Sequence, residues 1–412
     1  MKLWQKRIYA DAAAATPLSK SVQRELSRLL PLYGNPGALH KEAVEAKKEL
    51  DSARKKIADV LGAHSDEIIF TGSGTEANNL AIHGILQPLL NEHGEVHAAT
   101  SAIEHSSVLV PLYAMERDGL YITELPVNES GLISPHALRE IINDETAFVS
   151  IQMINSEIGT VQAIREIAKE IRHVRRERIS QNEGKTRPSG PERPREGNSL
   201  PLYLHVDASQ APLWLPLKVD ALGVDFLTLD AQKIMGPKGI GLLYARRGAP
   251  LDPIIFGGGQ EGGKRSGTEN VPLIGAFVVA LLEAQASAEK NSEQISRVRD
   301  FLIDEIKKVI PGARLNGALG KERAPNNINI SIPNLNGDMA VIALDAEGIA
   351  ASTRSACDTD DEAPSHVLQA IGVSPEEAKN SIRITLLPSA SMGEARRIAK
   401  TLLDIKQRYS QK

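Results

Sequence analysis

The chain has 412 residues, of which 42% are hydrophobic and 24% are charged, so its composition is that of an ordinary folded protein, not of a disordered or fibrous one. Its 48 basic and 52 acidic side chains give a formal net charge of −4, and this balance does not indicate a polyanionic partner such as nucleic acid. The one cysteine, Cys357, excludes an intrachain disulfide and a multi-cysteine metal site, and it fits a reducing compartment.

The sequence does not predict a secreted or membrane protein. Lys2, Lys6 and Arg7 at the amino terminus are not followed by an apolar run long enough for a signal peptide. The longest apolar run, 271–282, is well short of the roughly 20 residues that cross a bilayer. We therefore expect a soluble, cytoplasmic protein that does not bind a membrane.

Apolar, β-branched runs alternate with helical patterns over the first two thirds of the chain. An amphipathic helix is predicted over 39–61, because apolar residues recur there three and four positions apart. The alternation predicts an α/β fold, with a mainly parallel sheet covered by helices on both faces. The predicted strands are 67–70, 96–100, 121–125, 147–151, 203–206, 224–229 and 240–244.

The remainder of the chain follows a different pattern. Two helices over 271–288 and 294–309, a strand over 327–332 and further helices predict a smaller α+β domain. The segment 178–200 is rich in Gly, Pro, Ser and charged residues without a period, which predicts a mobile surface insertion.

Three patterns that could suggest a metal or nucleotide site are weak. The segment 93–97 has its Glu misplaced for a zinc-binding HExxH helix, so we expect no metal site. The glycine-rich segment 236–241 precedes a strand, whereas a dinucleotide-binding loop follows one. The segment 258–264 matches a phosphate-binding GxxxxGK loop, but Arg265 stands where that loop needs a hydroxyl for magnesium.

A stronger signal comes from polar residues that follow predicted strands, since open α/β sheets bind ligands at the carboxyl ends of their strands. Gly74 and Thr75 follow one strand and open a helix, so they could hold a phosphate or could simply form a capping turn. His105 follows another strand, where its imidazole could stack on an aromatic ligand or serve a structural role.

Two further strand ends carry a carboxylate and an amine. Asp207 ends an apolar strand, where a carboxylate is costly to bury unless a cation or donor meets it. Lys233 follows the next strand and could form a Schiff base, although a surface lysine is the alternative. Together with a phosphate-type loop, this pair is the chemistry of pyridoxal phosphate, in which the lysine bonds the aldehyde and the carboxylate keeps the ring nitrogen protonated.

In these residues the chain resembles the cysteine desulfurases of the nitrogen-fixation and iron–sulfur assembly type, within the class V aminotransferase superfamily of fold-type I pyridoxal phosphate enzymes. The resemblance spans nearly the whole chain and keeps the order of the motifs. These motifs are 9–17 (YADAAAATP), 34–36 (GNP), 74–76 (GTE), 104–105 (EH), 155–159 (NSEIG), 205–208 (HVDA), 233–239 (KIMGPKG), 257–270 (GGGQEGGKRSGTEN), 354–357 (RSAC) and 381–383 (SIR).

The resemblance implies conversion of L-cysteine to L-alanine, with the sulfur passing to Cys357 as a persulfide. Lys233 would then carry the cofactor, and His105 would stack on its ring and relay protons. The resemblance also implies that pyridoxal 5′-phosphate is bound by Gly74, Thr75, His105, Asn155, Asp207, Gln210, Asp230, Gln232, Lys233 and Thr268. The substrate would be held by Asn35, Asn155 and Arg383, since a guanidinium binds a carboxylate through two parallel hydrogen bonds.

The resemblance further implies a homodimer in which Thr268 reaches the cofactor phosphate of the partner. A sulfur-acceptor or cluster scaffold protein is the expected protein partner, for iron–sulfur cluster assembly or tRNA thiolation. The implied organisation is a large cofactor-binding domain over 17–259, containing the insertion 178–200, and a small domain formed by 1–16 and 260–412 that carries the cysteine.

Several positions depart from the family's pattern. Asp230 and Gln232 stand where Ser and His are usual, and we expect Asp230 to turn away from a phosphate or meet a cation, while Gln232 still donates a hydrogen bond. Arg354 replaces a usual Gly. Smaller or unexpected side chains also occur at Ala12, Ala15, Leu387 and Pro388.

Two alternatives follow from these departures and from the breadth of the superfamily. One is another class V pyridoxal phosphate enzyme, a selenocysteine lyase or an aminotransferase, neither of which needs a persulfide carrier such as Cys357. The other is a non-catalytic homologue that acts as a scaffold, for which the changes at Asp230 and Gln232 would be the evidence.

Overall fold

The predicted apolar runs form the strands of a central seven-stranded sheet. The computed structural model describes residues 6–183, 199–353 and 365–409. Its strands are β1 (Ile8–Tyr9), β2 (Ile68–Thr71), β3 (Val96–Ser101), β4 (Leu120–Leu125), β5 (Thr146–Gln152), β6 (Tyr203–Asp207), β7 (Phe226–Asp230), β8 (Gly241–Ala245), β9 (Arg314–Leu315), β10 (Asn327–Ser331), β11 (Ile349–Ala350) and β12 (Ser381–Thr385). All seven strands predicted for the first two thirds of the chain are confirmed to within two residues at each end.

Helices fill the intervals between the strands. They are α1 (Lys20–Leu29), α2 (Lys41–Leu61), α3 (Gly74–His93), α4 (Ser106–Met115), α5 (Pro135–Ile141), α6 (Ile164–Glu183), α7 (Val219–Leu222), α8 (Val271–Val309), α9 (Gly337–Ala346), α10 (His366–Ala370), α11 (Pro375–Lys379) and α12 (Met392–Tyr409). The predicted amphipathic helix 39–61 corresponds to α2, whose apolar face is buried.

The central sheet has the order β2-β8-β7-β6-β5-β3-β4 and is mainly parallel, as predicted. The exception is β8, which runs antiparallel to both of its neighbours. A parallel return from β7 to β8 would need a crossover of a dozen or more residues, and only 231–240 connects these strands. The carboxyl ends of β2, β3, β5, β6 and β7 therefore meet at one edge of the sheet.

Apolar side chains cover both faces of this sheet. On one face, Leu80 of α3 and Val108 of α4 pack with Phe148 of β5. On the other face, residues of α2, α6 and α8 pack with Val149 and Val206. Burial on both faces explains why the strands read as continuous apolar runs instead of alternating ones.

A second, three-stranded antiparallel sheet has the order β12-β10-β9, and β10 corresponds to the strand predicted at 327–332. The first strand of the chain contacts the carboxyl-terminal part of the sequence, because β1 pairs with β11 in a separate two-stranded sheet. The predicted boundaries of the two domains, 17–259 against 1–16 and 260–412, stay a prediction.

The sequence predicted a break between two helices, at 289–293, that the structure does not have. A single helix, α8, runs for 39 residues, because this segment contains no Gly or Pro and Ser292 donates a hydrogen bond to the carbonyl of Trp214. By length and apolar composition α8 could cross a membrane, but half of its most apolar stretch is buried, and the helix packs against α1, α2 and α12. These are the properties of a core helix.

The predicted insertion at 178–200 is wrong at its amino-terminal boundary. Arg178 lies within α6 and is buried, because its guanidinium donates to the carbonyls of Asn143, Thr146 and Leu200. These three contacts hold the helix against the sheet. Residues 184–198, which contain most of the predicted insertion, lie outside the described residues.

Candidate active site

The five strand ends form one cleft, as the sequence predicted. It encloses about 720 Å³, including solvent at its mouth. The amino-terminal motif and β12 contribute its remaining wall. The residues that line it include Ala13, Ala14, Gly74, Thr75, Asn78, His105, Ser107, Gln152, Ser156, Asp207, Ser209, Gln210, Asp230, Gln232, Lys233 and Arg383.

Lys233 projects into this cleft from the turn that follows β7. Its Nζ donates to the carbonyl oxygens of Ala13 and Ala14, each at 2.8 Å, so the amine contacts the amino-terminal motif. Two residues further on, Met235 has φ +63°, the left-handed region that side chains other than glycine rarely adopt. The turn is held by hydrogen bonds from Met235 N–H to Thr16 Oγ1 and from Ser19 N–H to the Met235 carbonyl.

A chain of hydrogen bonds joins Asp207 to His105. The side-chain amide of Asn78 donates to Asp207 Oδ2 at 2.9 Å and to Ser107 Oγ at 2.8 Å. Ser107 Oγ lies 2.7 Å from His105 Nδ1, and Ser107 N–H donates to the same nitrogen at 3.1 Å. Because a backbone N–H can only donate, Nδ1 is an acceptor and the neutral ring carries its proton on Nε2.

The start of α3 is occupied by a carboxylate of the chain itself. Asp230 Oδ2 accepts from Gly74 N–H at 3.2 Å and from Gln232 Nε2 at 3.1 Å, and Oδ1 accepts from Gln232 N–H at 3.1 Å. That Asp230 turns away from a phosphate or meets a cation stays a prediction. The N–H groups at this helix start can hold its carboxylate because they are neutral donors at the positive end of the helix. The expectation that Gln232 donates a hydrogen bond is confirmed.

A side chain at Gly74, the first position of α3, would be crowded. A Cβ atom there would lie 3.0 Å from Asp230 Cβ and 3.2 Å from Ser209 Oγ. The lack of a side chain at this residue therefore favours the close approach of the helix start to the end of β7. The adjoining Thr75 lines the cleft, as predicted.

The substrate side of the cleft contains a buried guanidinium. Arg383, 1% exposed, donates to Asp11 Oδ1 at 2.9 Å and to the carbonyl of Ser156 at 3.4 Å. Its Nε is buried and has no hydrogen-bond partner among the described residues. A buried donor without a partner is costly, so this atom fits a site that receives an acceptor from a ligand.

Gln210 also lines the cleft, where its side-chain amide donates to the carbonyl of Ala13 at 2.9 Å. Next to the cleft lies Glu104, which is fully buried. Its Oε1 accepts from Gln152 N–H at 3.0 Å and from the hydroxyl of Ser101, whereas Oε2 has no partner among the described residues. Burial raises the pKa of Glu104 to about 8.

Three predicted site residues do not line the cleft. Asn155 lies in an adjoining small cavity, where its side chain is engaged by Ile103 O and by the N–H groups of 157–158. Asn35 is exposed and caps its own turn through Gly37 N–H. Thr268 lines a separate cavity beside β2. Cys357 and Arg354 lie outside the described residues.

The sequence reasoning missed three residues that orient the cleft's side chains: Asn78, Ser107 and Asp11. Asn78 and Ser107 each follow a motif already singled out, at 74–76 and 104–105, so a functional role could have been sought there. Asp11 lies inside the amino-terminal motif 9–17. Each contacts a residue that local patterns cannot identify, because the partner is distant in sequence.

The chain is similar to known proteins over most of its length. The family model described as Aminotransferase class-V matches residues 8–176 and 199–397. A relative named Cysteine desulfurase IscS, from Dictyoglomus turgidum, is 39% identical over 383 residues, which cover 93% of this chain and 90% of the relative.

Two solved structures share the fold and much of the sequence. A NifS-like protein has a TM-score of 0.85 and 30% identity, covering 97% of this chain and 99% of its own. The structure titled "SspA in complex with cysteine" has a TM-score of 0.75 and 33% identity, covering 93% and 100%. Because the family match and the 39% identical relative both extend over most of the sequence, the chain belongs to the cysteine desulfurases of the class V aminotransferase family.

Proposed function

We propose that this protein is a pyridoxal phosphate-dependent cysteine desulfurase that converts L-cysteine to L-alanine and transfers the sulfur to Cys357. The observation that carries the proposal is the meeting of Lys233, Asp207, His105 and Arg383 in one cleft. An amine, a carboxylate, an imidazole and a guanidinium are the groups that this reaction needs. The relatives do not favour a selenocysteine lyase, an aminotransferase or a non-catalytic scaffold.

The cleft fits pyridoxal phosphate at its reactive end. Lys233 and Asp207 both line the cleft, where the Lys233 amine would bond the aldehyde and the Asp207 carboxylate would meet a protonated ring nitrogen. His105 would lie against the ring, and Gln210 would hydrogen-bond the ring hydroxyl. Asn155 would have to give up its bonds to Ile103 O and to the N–H groups of 157–158 to do the same. Gly74 and Thr75 at the start of α3 would contact the phosphate. When bound, this cofactor withdraws electrons from the substrate and so weakens the bonds around its α-carbon.

The chain's own residues have separate tasks around the substrate. Arg383 binds its α-carboxylate, for which the buried Nε is available. His105 holds a proton on Nε2 while Nδ1 is fixed by Ser107, so the ring can donate and later accept at one atom. Asn78 orients the Asp207 carboxylate by donating to it.

The sulfur transfer balances without an external oxidant. The thiolate of Cys357 attacks the substrate sulfur, so an S–S bond forms as the Cβ–S bond breaks. The electron pair of the broken bond remains with the substrate carbon, which takes up a proton and leaves as L-alanine. The sulfur is thereby oxidised and the carbon reduced, and Cys357 carries a persulfide for delivery to an acceptor protein.

The active enzyme is proposed to be a homodimer. Phe256, at 82% exposure, and Tyr33, at 81%, are large apolar side chains on the surface, which suits burial against a second copy. Thr268 and Asn35, which lie outside the cleft of their own chain, would then act in the partner's site.

Mixing Lys233→Ala and Thr268→Ala chains should restore activity in heterodimers. Inactive mixtures would contradict sites shared between subunits.

The proposed compartment is the cytoplasm, and the proposed protein partner is a sulfur acceptor for cluster assembly or tRNA thiolation. A reducing compartment suits the chemistry, because the single cysteine must be a thiolate to act as the nucleophile.

The decisive experiment measures alanine and sulfide formed from L-cysteine with pyridoxal phosphate and a reductant. The native chain should give the two products in equal amounts, and Cys357→Ala should lose both while retaining the visible absorbance of cofactor bound to Lys233. Lys233→Ala is the matched control that should lose the absorbance as well. Product formation that survives in Cys357→Ala would contradict the persulfide route.

A further inference from the structure

The two departures from the family's pattern beside Lys233 contact each other. Gln232 donates to Asp230 from both its backbone N–H and its side-chain amide, each at 3.1 Å. These bonds, with that from Gly74 N–H at 3.2 Å, hold the Asp230 carboxylate at the start of α3. Asp230 is only 6% exposed, so water screens its charge poorly.

The start of α3 is also where the cofactor's phosphate belongs. If Lys233 takes the aldehyde and Asp207 the ring nitrogen, the end of the cleft left for the phosphate is lined by Gly74, Thr75 and Ser209. The positive end of the helix favours an anion there. The Asp230 carboxylate already uses the Gly74 N–H, and it would repel a second anion at this short range.

We propose that Asp230, held by Gln232, is an internal anion at the phosphate end of the cleft and lowers the affinity of the protein for the phosphate group of its cofactor. This inference rests on the proposed cofactor. Pyridoxal lacks the phosphate, so it serves as the reference ligand. The inference implies that the ratio of the affinity for pyridoxal phosphate to the affinity for pyridoxal is smaller in the native chain than in a chain without this carboxylate. Asp230 would therefore set the specificity of the cleft at a position remote from the reacting atoms.

The test measures cofactor binding directly. Full-length apo-protein is titrated with pyridoxal phosphate and, separately, with pyridoxal, following the absorbance of the Lys233 adduct. Asp230→Ser and the nearly isosteric Asp230→Asn should each bind pyridoxal phosphate at least about tenfold more tightly than the native chain, because a like charge is removed. Pyridoxal affinity should change by less than about twofold, because it carries no phosphate.

Two controls separate charge from structure. Asp66→Ser makes the same substitution at an exposed carboxylate outside the cleft, paired with Arg247, and should leave both affinities unchanged. Far-ultraviolet circular dichroism verifies that each Asp230 variant is folded, and the Asn variant retains the side-chain volume if the Ser variant does not fold. A rise in melting temperature with inorganic phosphate, larger in Asp230→Asn than in the native chain, would support the inference through a second readout.

The possible results differ clearly. Unchanged affinity for pyridoxal phosphate in both folded variants would overturn the inference, and so would an equal gain for pyridoxal, which would show an effect on the shape of the cleft and not on the phosphate. If the native chain binds pyridoxal phosphate and either of these two results is found, the inference about Asp230 fails but the proposed function stands. A native chain and variants that all fail to bind pyridoxal phosphate would instead refute the proposed cofactor and this inference with it.

Discussion

Arg383 and Asp11 form an ion pair across 372 sequence positions, with 2.9 Å between Nη2 and Oδ1. The guanidinium is almost fully buried, and the carboxylate side chain is 20% exposed. The pair fixes the candidate carboxylate-binding group before any substrate arrives. It also joins the amino-terminal motif to β12, where Asp11 bridges Thr385, so the same contact supports both the fold and the cleft.

Asp11→Asn should lower the free energy of unfolding by about 1–3 kcal/mol, because it leaves a buried guanidinium without its counter-charge. Urea denaturation of the apo-protein measures the effect. Asp345→Asn is a matched control, since its pair with Arg7 is more than half exposed on both sides and should contribute at most about 1 kcal/mol. Equal stability of the two variants would contradict a stabilising role for the Asp11 pair.

The contacts of Ser107 predict the tautomer of His105. In the native protein, nitrogen-15 NMR of the histidine ring should show Nδ1 as the acceptor and the proton on Nε2. Ser107→Ala removes the hydroxyl that links the ring to Asn78. If the loss of this hydrogen bond raises the activation free energy by about 1.4 kcal/mol, kcat/KM falls about tenfold.

Ser106→Ala, one position earlier, is the control, because Ser106 does not line the cleft. It should leave the histidine resonances and kcat/KM near native values. A native spectrum in Ser107→Ala would show that the backbone N–H alone fixes the ring.

The strands could be predicted because each buried run is short, apolar and bounded by polar residues. The same reasoning placed Lys233, Asp207 and His105 in one cleft, since parallel strands end at one edge. It failed where a contact joins distant segments. Asn78 donates to Asp207 across 129 positions, and the local sequence pattern around either residue does not predict this contact.

Asp230 shows a different limit. Charge alone predicts that its carboxylate turns away from a phosphate or meets a cation, but it does not predict the bond from Gly74 N–H at a helix start, which lies 156 positions away in the sequence. The helix break predicted near 291 failed because polar residues alone do not end a helix without Gly or Pro, and Ser292 finds a partner in Trp214 O.

The backbone of Met235, at φ +63°, predicts an unusual order of stability among its variants. Met235→Gly should be more stable than Met235→Ala by up to about 1 kcal/mol, because the left-handed conformation costs a side chain about 1–2 kcal/mol and the flexibility of Gly offsets part of that. Both variants truncate the side chain, so their difference isolates the backbone.

Ala286→Gly is a control in which replacing Ala by Gly should lower the stability instead of raising it. Ala286 is exposed in the middle of α8, where Gly should lower stability by about 1 kcal/mol. Urea denaturation of all three variants measures these differences. An Ala variant at position 235 that is at least as stable as the Gly variant would contradict a left-handed residue there in solution.

Glu104 predicts a loss of stability toward alkaline pH. Burial raises its pKa from 4.5 to about 8, so between these values the folded protein binds a proton that the unfolded chain has released. Its contribution is fully present below pH 4.5 and is lost as the pH rises through 8, with a slope of about 1.4 kcal/mol per pH unit.

The window from pH 6.5 to 8 isolates this effect from that of His205. Burial lowers the pKa of His205, so its contribution is present above pH 6.5 and is lost only as the pH falls through its lowered pKa. Glu104→Gln removes the titrating group at nearly constant volume.

Between pH 6.5 and 8, the native chain should lose about 2 kcal/mol more of its free energy of unfolding than Glu104→Gln does, as measured by urea denaturation. Glu289→Gln, at an exposed position of α8, should follow the native curve. If Glu104→Gln followed the native curve as well, Glu104 would be ionised in the folded protein at neutral pH, and its buried Oε2 would need a donor that the described residues do not supply.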